Sequence, residues 1–219
     1  MRKLLLLRPE PGLSATAERA RASGLEVIAC PLFQVEPVEW AAPDPAGYDA
    51  LLLTSANAVR HGGMELNKLS ALPVQAVGAA TAAAAREAGF KIETVGEGDV
   101  TNLLGKLPPT LRLLHLAGED HRAVDDPRVE RQIVYRAAMI SNAHLPPLEG
   151  LVAAVHSPRA GERLAELAPV RGATAVAAIS SAAADACGSG WECVAVAEQP
   201  NDNSLLALAA RLCHRSSPQ

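Results

Sequence analysis

The chain predicts an α/β protein made of two similar Rossmann- or flavodoxin-like lobes with parallel sheets, joined by a two-stranded hinge, with a ligand cleft between them. Three observations predict it. Short apolar runs alternate with Ala-rich helical stretches throughout. The pattern occurs twice at one offset, with Ser157 lying 102 positions after Ser55. The run at 51–53 also stops, without a turn residue, on small polar residues in LLLTSANAV (51–59), and its second copy reads AAVHSPRAGE (153–162).

The first copy has strands at about 50–54, 74–77 and 92–95, and the second at about 151–155, 174–179 and 193–197. Strands of this length, apolar throughout and separated by helices, belong in a parallel sheet covered on both faces. The stretch from Thr81 to Ala88 holds strong helix formers and ends on Gly89, a natural residue just past a helix C-terminus. The same offset carries VQAVGAATAAAA (74–85) onto the AVAAISSAAADA stretch, with Gly78 on Ser180, and VTNLL (100–104) onto DNSLL (202–206). Repeats of this length point to two like domains and not to a solenoid.

Two further units resemble each other, MRKLLLLRPEPG…LEVIACP (1–31) and TLRLLHLAGEDHR…VERQIVYRA (110–137). The early one can complete the late repeat and the middle one the early repeat. The chain then starts in domain 1 (1–35 with 138–219), crosses to an inserted domain 2 (36–137) and returns. Extended crossing segments fall at about 33–40 and 134–141. Five strands are expected in each lobe, with a loop in place of a helix between Arg122 and Val129, where Pro127 intervenes.

Composition narrows the function. The 219 residues are 49% hydrophobic, 20% charged and only 3% aromatic, an ordinary globular balance whose core is Ala, Leu and Val. A net charge of −4 without a basic stripe argues against nucleic acid. The apolar run Leu4–Leu7 ends at Arg8 and Pro9, too short for a signal core or a membrane span. The cysteines (Cys30, Cys187, Cys193, Cys213) form no CxxC pair and no zinc spacing with His, as expected of idle thiols in the cytoplasm. GxGxxG, Walker A, GxSxG and HExxH motifs are all missing from the sequence, which leaves nucleotide, serine-hydrolase and metal chemistry without support.

In open α/β sheets ligands gather at the carboxyl ends of strands. Thr54, Ser55 and Asn57, Gly78 and Thr81, His156 and Ser157, and Ser180 and Ser181 all fall there. Hydroxyls and unpaired N–H groups at helix starts favour anions. The same residue types are also ordinary N-caps, and capping alone accounts for any one cluster. Their duplication is what argues for a ligand, a large one carrying several negative groups.

Taken in order, LLLTSANAV, VGAATAAAAREAGF, LHLAGED, VYRA, HSPRAGERL and QPNDNSLLALA resemble the uroporphyrinogen-III synthase family, from Arg8-Pro9 to Leu206. The resemblance implies two α/β lobes, the second inserted in the first, and a lyase that cyclises hydroxymethylbilane to uroporphyrinogen III with loss of water and inversion of ring D. It implies no cofactor, a monomer, and transient contact with hydroxymethylbilane synthase as the conceivable protein partner. The substrate carries eight carboxylates, which points to Arg8 and Arg122, ahead of Arg159, as its cationic contacts. Tyr135 in VYRA is the candidate acid, since a phenol keeps its proton at neutral pH and can give it to a departing hydroxyl. Packing at the hinge is its alternative role.

The sequence departs from the family at three places. Ala183 holds the repeat position of Thr81, a vacancy that Ser180 or Ser181 could fill. Asn57 stands where Arg is common, and His156 replaces a small residue. Two-lobed binding proteins and twin-lobed glycosyltransferases share the architecture but usually need a longer chain. A diverged, non-catalytic member that binds a polyanionic tetrapyrrole is the stronger alternative.

Overall fold

The computed structural model describes residues 1–120 and 124–214. Its strands, in chain order, are β1 (Leu4–Leu6), β2 (Val27–Ala29), β3 (Phe33–Pro37), β4 (Ala50–Leu53), β5 (Val74–Val77) and β6 (Ile92–Gly96), then β7 (Leu113–Gly118), β8 (Val129–Met139), β9 (Val152–Val155), β10 (Ala175–Ala178) and β11 (Cys193–Val196). The helices are α1 (Gly12–Ala22), α2 (Ala56–His61), α3 (Ala79–Glu87), α4 (Val100–Lys106), α5 (Pro158–Leu167), α6 (Ser181–Ala186) and α7 (Asp202–His214). Among the described residues, no helix is long and apolar enough to cross a membrane.

Two compact units result: Met1–Gln34 with Met139–Gln219, and Val35–Ala138. The first holds a five-stranded sheet in the order β11-β10-β9-β1-β2, all parallel. Counted along its own chain this is the 2-1-3-4-5 order of flavodoxin-like sheets, with the switch point between β1 and β9. Leu4 and Leu6 face α1 and α7 together with Leu13, Ala17, Leu205, Leu208 and Leu212. Alternate residues such as Leu5, Ala153 and Val176 are equally buried. Both faces are covered, which is why these strands read as apolar throughout.

The second unit holds the order β3-β8-β7-β4-β5-β6. Leaving β3 aside, its order is that of the first unit if counting begins at β7, so the two sheets are circular permutations of one plan. Leu51, Leu53, Ala76, Ala82 and Leu116 pack on the α2 and α3 side, and Ala50, Leu52, Leu103, Leu104 and Leu113 on the α4 side. Residues 124–128 carry no helix.

The expected five strands become six here because β8 is eleven residues long. Its first part pairs with β7 in parallel. Its later part bonds to β3, with Val38 donating to the Val134 carbonyl at 3.1 Å and Ile140 to that of Leu32 at 3.0 Å. Those partners run in opposite order, so β3 is antiparallel to β8. These two strands carry the chain out of the first unit and back.

Candidate functional site

In the first unit, the carboxyl ends of β1 and β9 flank the switch point, and a polar cluster fills it. Arg8 follows β1, His156 follows β9, and Asp202 opens α7. Asp202 Oδ1 accepts from Arg8 Nη1 at 3.0 Å, lies 2.8 Å from His156 Nε2, and accepts from Thr16 Oγ1 at 3.0 Å. Its other oxygen accepts from Arg19 and from Thr16. Burial alone would raise the Asp202 carboxyl. The hydrogen bonds from His156, Arg19 and Thr16, with the charge on His156, outweigh burial and hold it well below the ordinary carboxylate value. Two guanidinium groups on one carboxylate leave local positive charge at a strand edge of an acidic chain. Arg8 therefore stands where the sequence places it, and its charge is shared with Asp202.

Alternation along the strands explains the grouping. Leu4 and Leu6 point to α1 and α7, so Arg8 does too, and Val152 and Ala154 bring His156 to the same side. The His156 side chain is only 9% exposed, and its Nδ1 is buried without a hydrogen-bond partner among the described residues.

The serines behave uniformly. Ser157 Oγ accepts from the Ala160 N–H at 3.2 Å and Ser180 Oγ from that of Ala183 at 3.3 Å. Ser55 Oγ accepts from that of Asn57 at 3.2 Å. Each is the N-cap of the helix after its strand. Capping uses an acceptor lone pair, so each hydroxyl keeps its own O–H as a donor. Ser181 is the first residue of α6 and is exposed. Arg159, the second residue of α5, lies with its guanidinium 4.9 Å above the Phe33 ring.

In the second unit the strand ends are arranged differently. Thr54 reaches sideways, its Oγ1 lying 3.0 Å from Nε2 of the fully buried His115 on β7. Asn57 sits in α2 with its Oδ1 buried and unpartnered among the described residues. Gly78 caps α3 with φ 83°, a conformation that favours glycine, and Thr81 is buried two residues into that helix. Arg122 lies outside the described residues.

Tyr135 stands on β8 beside Gly118, the last residue of β7, where the strand register shifts by one residue. Its half-buried ring packs against the α2 and α3 cluster, with its centroid 6.4 Å from that of His61. Arg131, two residues into β8, donates to the Gly118 and Glu119 carbonyls at 2.7 and 2.8 Å. The thiols take no part: burial pushes Cys187 and Cys213 up to about 11, too high to ionise at neutral pH.

Sequence reasoning missed Asp202, Thr16, Arg19, Arg131 and Gly118. Asp202 carried a signal, since its repeat position in the first copy is the apolar Val100. The others carried none.

The chain compares with known proteins as follows. A family model described as uroporphyrinogen-III synthase HemD matches residues 14–207. The structure of uroporphyrinogen-III synthetase from Helicobacter pylori superposes with a TM-score of 0.67 at 17% identity, covering 97% of this chain and 100% of that one. A uroporphyrinogen III synthase from Thermus thermophilus gives 0.41 at 21% identity, covering 96% of this chain and 97% of that one. A mutant form of the Thermus enzyme gives 0.46 at 20% identity, covering 96% and 98%. No curated relative matches the chain.

Proposed function

The chain belongs to the uroporphyrinogen-III synthase family, and from that premise we propose how its own residues carry the reaction. The activity is that of a lyase in tetrapyrrole synthesis. It cyclises hydroxymethylbilane to uroporphyrinogen III, with loss of water and inversion of ring D. The observation that carries this reading is the family match over residues 14–207.

In our proposal Tyr135 gives its phenolic proton to the hydroxymethyl oxygen on ring A. Water leaves as the pyrrole nitrogen pushes electrons into the breaking bond, giving an azafulvene cation. The substituted carbon of ring D attacks this cation and forms a spiro intermediate. The intermediate fragments, recloses through the other carbon, and loses the proton that restores aromaticity and the phenol. The nitrogen drives bond breaking, so the protein's main work is to hold the chain folded with the disfavoured carbon nearest, an orientation effect.

The polyanion needs donors, and the strand ends supply them. The cluster of Arg8 and Arg19 around Asp202 offers local positive charge in the first unit. Ser157, Ser180 and Ser181 add hydroxyl donors there. Thr54, Ser55 and Thr81 add hydroxyls in the second unit, together with the Asn57 amide and the start of α3 after Gly78, whose own N–H donates to the Gly96 carbonyl, and Arg122 is a further cation. We place the reaction in the cytoplasm, carried out by a monomer that meets hydroxymethylbilane synthase transiently.

The test is kinetic. Hydroxymethylbilane made in situ by its synthase should be consumed faster with the protein than by spontaneous closure, and Tyr135→Phe should lower kcat by roughly tenfold or more with little change in KM. A Tyr135→Phe variant of full rate would remove the acid assignment.

A further inference from the structure

Gly118 ends β7 in a place where its backbone does not call for glycine, because its φ is outside the left-handed region. Space is what excludes a side chain. A Cβ at this position would stand 2.6 Å from Cε2, 2.7 Å from Cζ and 3.0 Å from the hydroxyl oxygen of Tyr135. Carbon atoms in contact ordinarily lie about 3.5–4 Å apart. The phenol therefore occupies the volume that any other residue at 118 would fill.

Two features turn this contact into a seat. The register runs Ala117 to Ile133 and then skips, so that Tyr135 and not Val134 stands opposite Gly118. A one-residue shift of this kind moves the next side chain to the other face, and such irregularities re-aim side chains beside functional sites. The backbone under the ring is also pinned. Arg131 holds the Gly118 and Glu119 carbonyls, and the Glu119 N–H donates to the Tyr135 carbonyl at 2.9 Å. The first unit has no equivalent, because Leu5 and Leu114 hold matching places against β9 and β4, which sets Gly118 on Pro9.

We propose that Gly118 is a positioning residue for the reaction: by carrying no side chain, it seats the Tyr135 hydroxyl at the carboxyl end of β7. The inference rests on the reading of Tyr135 as the acid. With the backbone pinned on both strands, the half-buried ring is the part free to give way to a methyl group. A contact of 2.6 Å must open by roughly 1 Å, and a misplacement of that size can cost up to about a hundredfold in rate.

A double-mutant cycle tests it, using the full chain and hydroxymethylbilane made in situ. Gly118→Ala should lower kcat about tenfold or more and leave KM within about twofold. In a Tyr135→Phe background the same change should cost less than about twofold, because the hydroxyl it displaces is already gone. Full activity in Gly118→Ala, or an equal loss in both backgrounds, overturns the proposal. Full activity in Tyr135→Phe alone strikes the acid assignment instead. Should Gly118→Ala not fold, melting of Gly118→Ala with Tyr135→Ala decides. Recovery to the level of Tyr135→Ala alone supports the seat, and failure to recover overturns it.

Discussion

Replacing Asp202 by asparagine keeps the shape of the side chain and removes its charge. In the wild-type chain this carboxylate accepts from Arg8, Arg19, Thr16 and His156 while only 18% exposed. The four partners do not respond alike. Arg19 is 47% exposed and can return to water. His156, at 9%, and Arg8, at 29%, cannot do so freely. The bonds from Arg8 and His156 then meet a neutral amide in place of a carboxylate, at a loss of about 1 kcal/mol each, and the guanidinium groups lose their counter-charge. The expected cost is about 2–3 kcal/mol. For a unit of this size that lowers Tm by roughly 10 °C.

The pH dependence follows from the depressed carboxyl. Its folded value lies below the ordinary 3.8, so the unfolded chain binds the proton more readily. The stabilisation is complete above the ordinary value and is lost as pH falls through the folded one. Urea unfolding of both proteins between pH 7 and pH 3, followed by circular dichroism, checks it. The gap should stay constant from pH 7 to about 5 and narrow below about 4. A gap under about 0.5 kcal/mol at pH 7, or one that does not narrow in acid, would refute the reasoning.

Two other perturbations have defined outcomes. Ser157→Ala removes the N-cap of α5 and should cost about 1 kcal/mol by thermal unfolding. If its O–H also meets a substrate carboxylate, KM should rise with kcat unchanged, and an unchanged KM would leave the serine a cap only. Asp126 braces Arg128, which holds the Leu104, Leu107 and Pro108 carbonyls at the end of α4. The Arg128 hydrogen bonds lower the Asp126 carboxyl to about 2. Asp126→Asn should cost about 1 kcal/mol at neutral pH, a penalty that fades as pH falls from the ordinary carboxylate value of 3.8 toward 2, measured by denaturant melts.

Much of this architecture is legible in one chain because it is written twice. Runs such as Leu51–Leu53 and Val152–Val155 are apolar on both faces, which only a doubly covered parallel strand requires. The offset of 102 places Ser55 and Ser157 at the same helix start, and both act as N-caps there. Local signals of this kind depend on neighbours a few residues away. The crossing segment at 33–40 reads as extended, but that it joins the second sheet as a sixth strand depends on how far β8 continues past β7, a matter of pairing and not of pattern. The Asp202 cluster joins residues 46 to 194 positions apart. His156 was visible only as a departure from family habit, and its bond to Asp202 depends on two strands and two helices meeting at the switch point. The Tyr135 seat depends on a skipped residue in a ladder, which no periodicity records.

The central claim is that this chain turns the linear tetrapyrrole into the inverted ring. The isomer composition of the product tests it most directly: hydroxymethylbilane released in situ is allowed to close with and without the protein, oxidised to porphyrin, and resolved by chromatography. Isomer III should predominate with the protein present and isomer I without it. Isomer I in both would contradict the account.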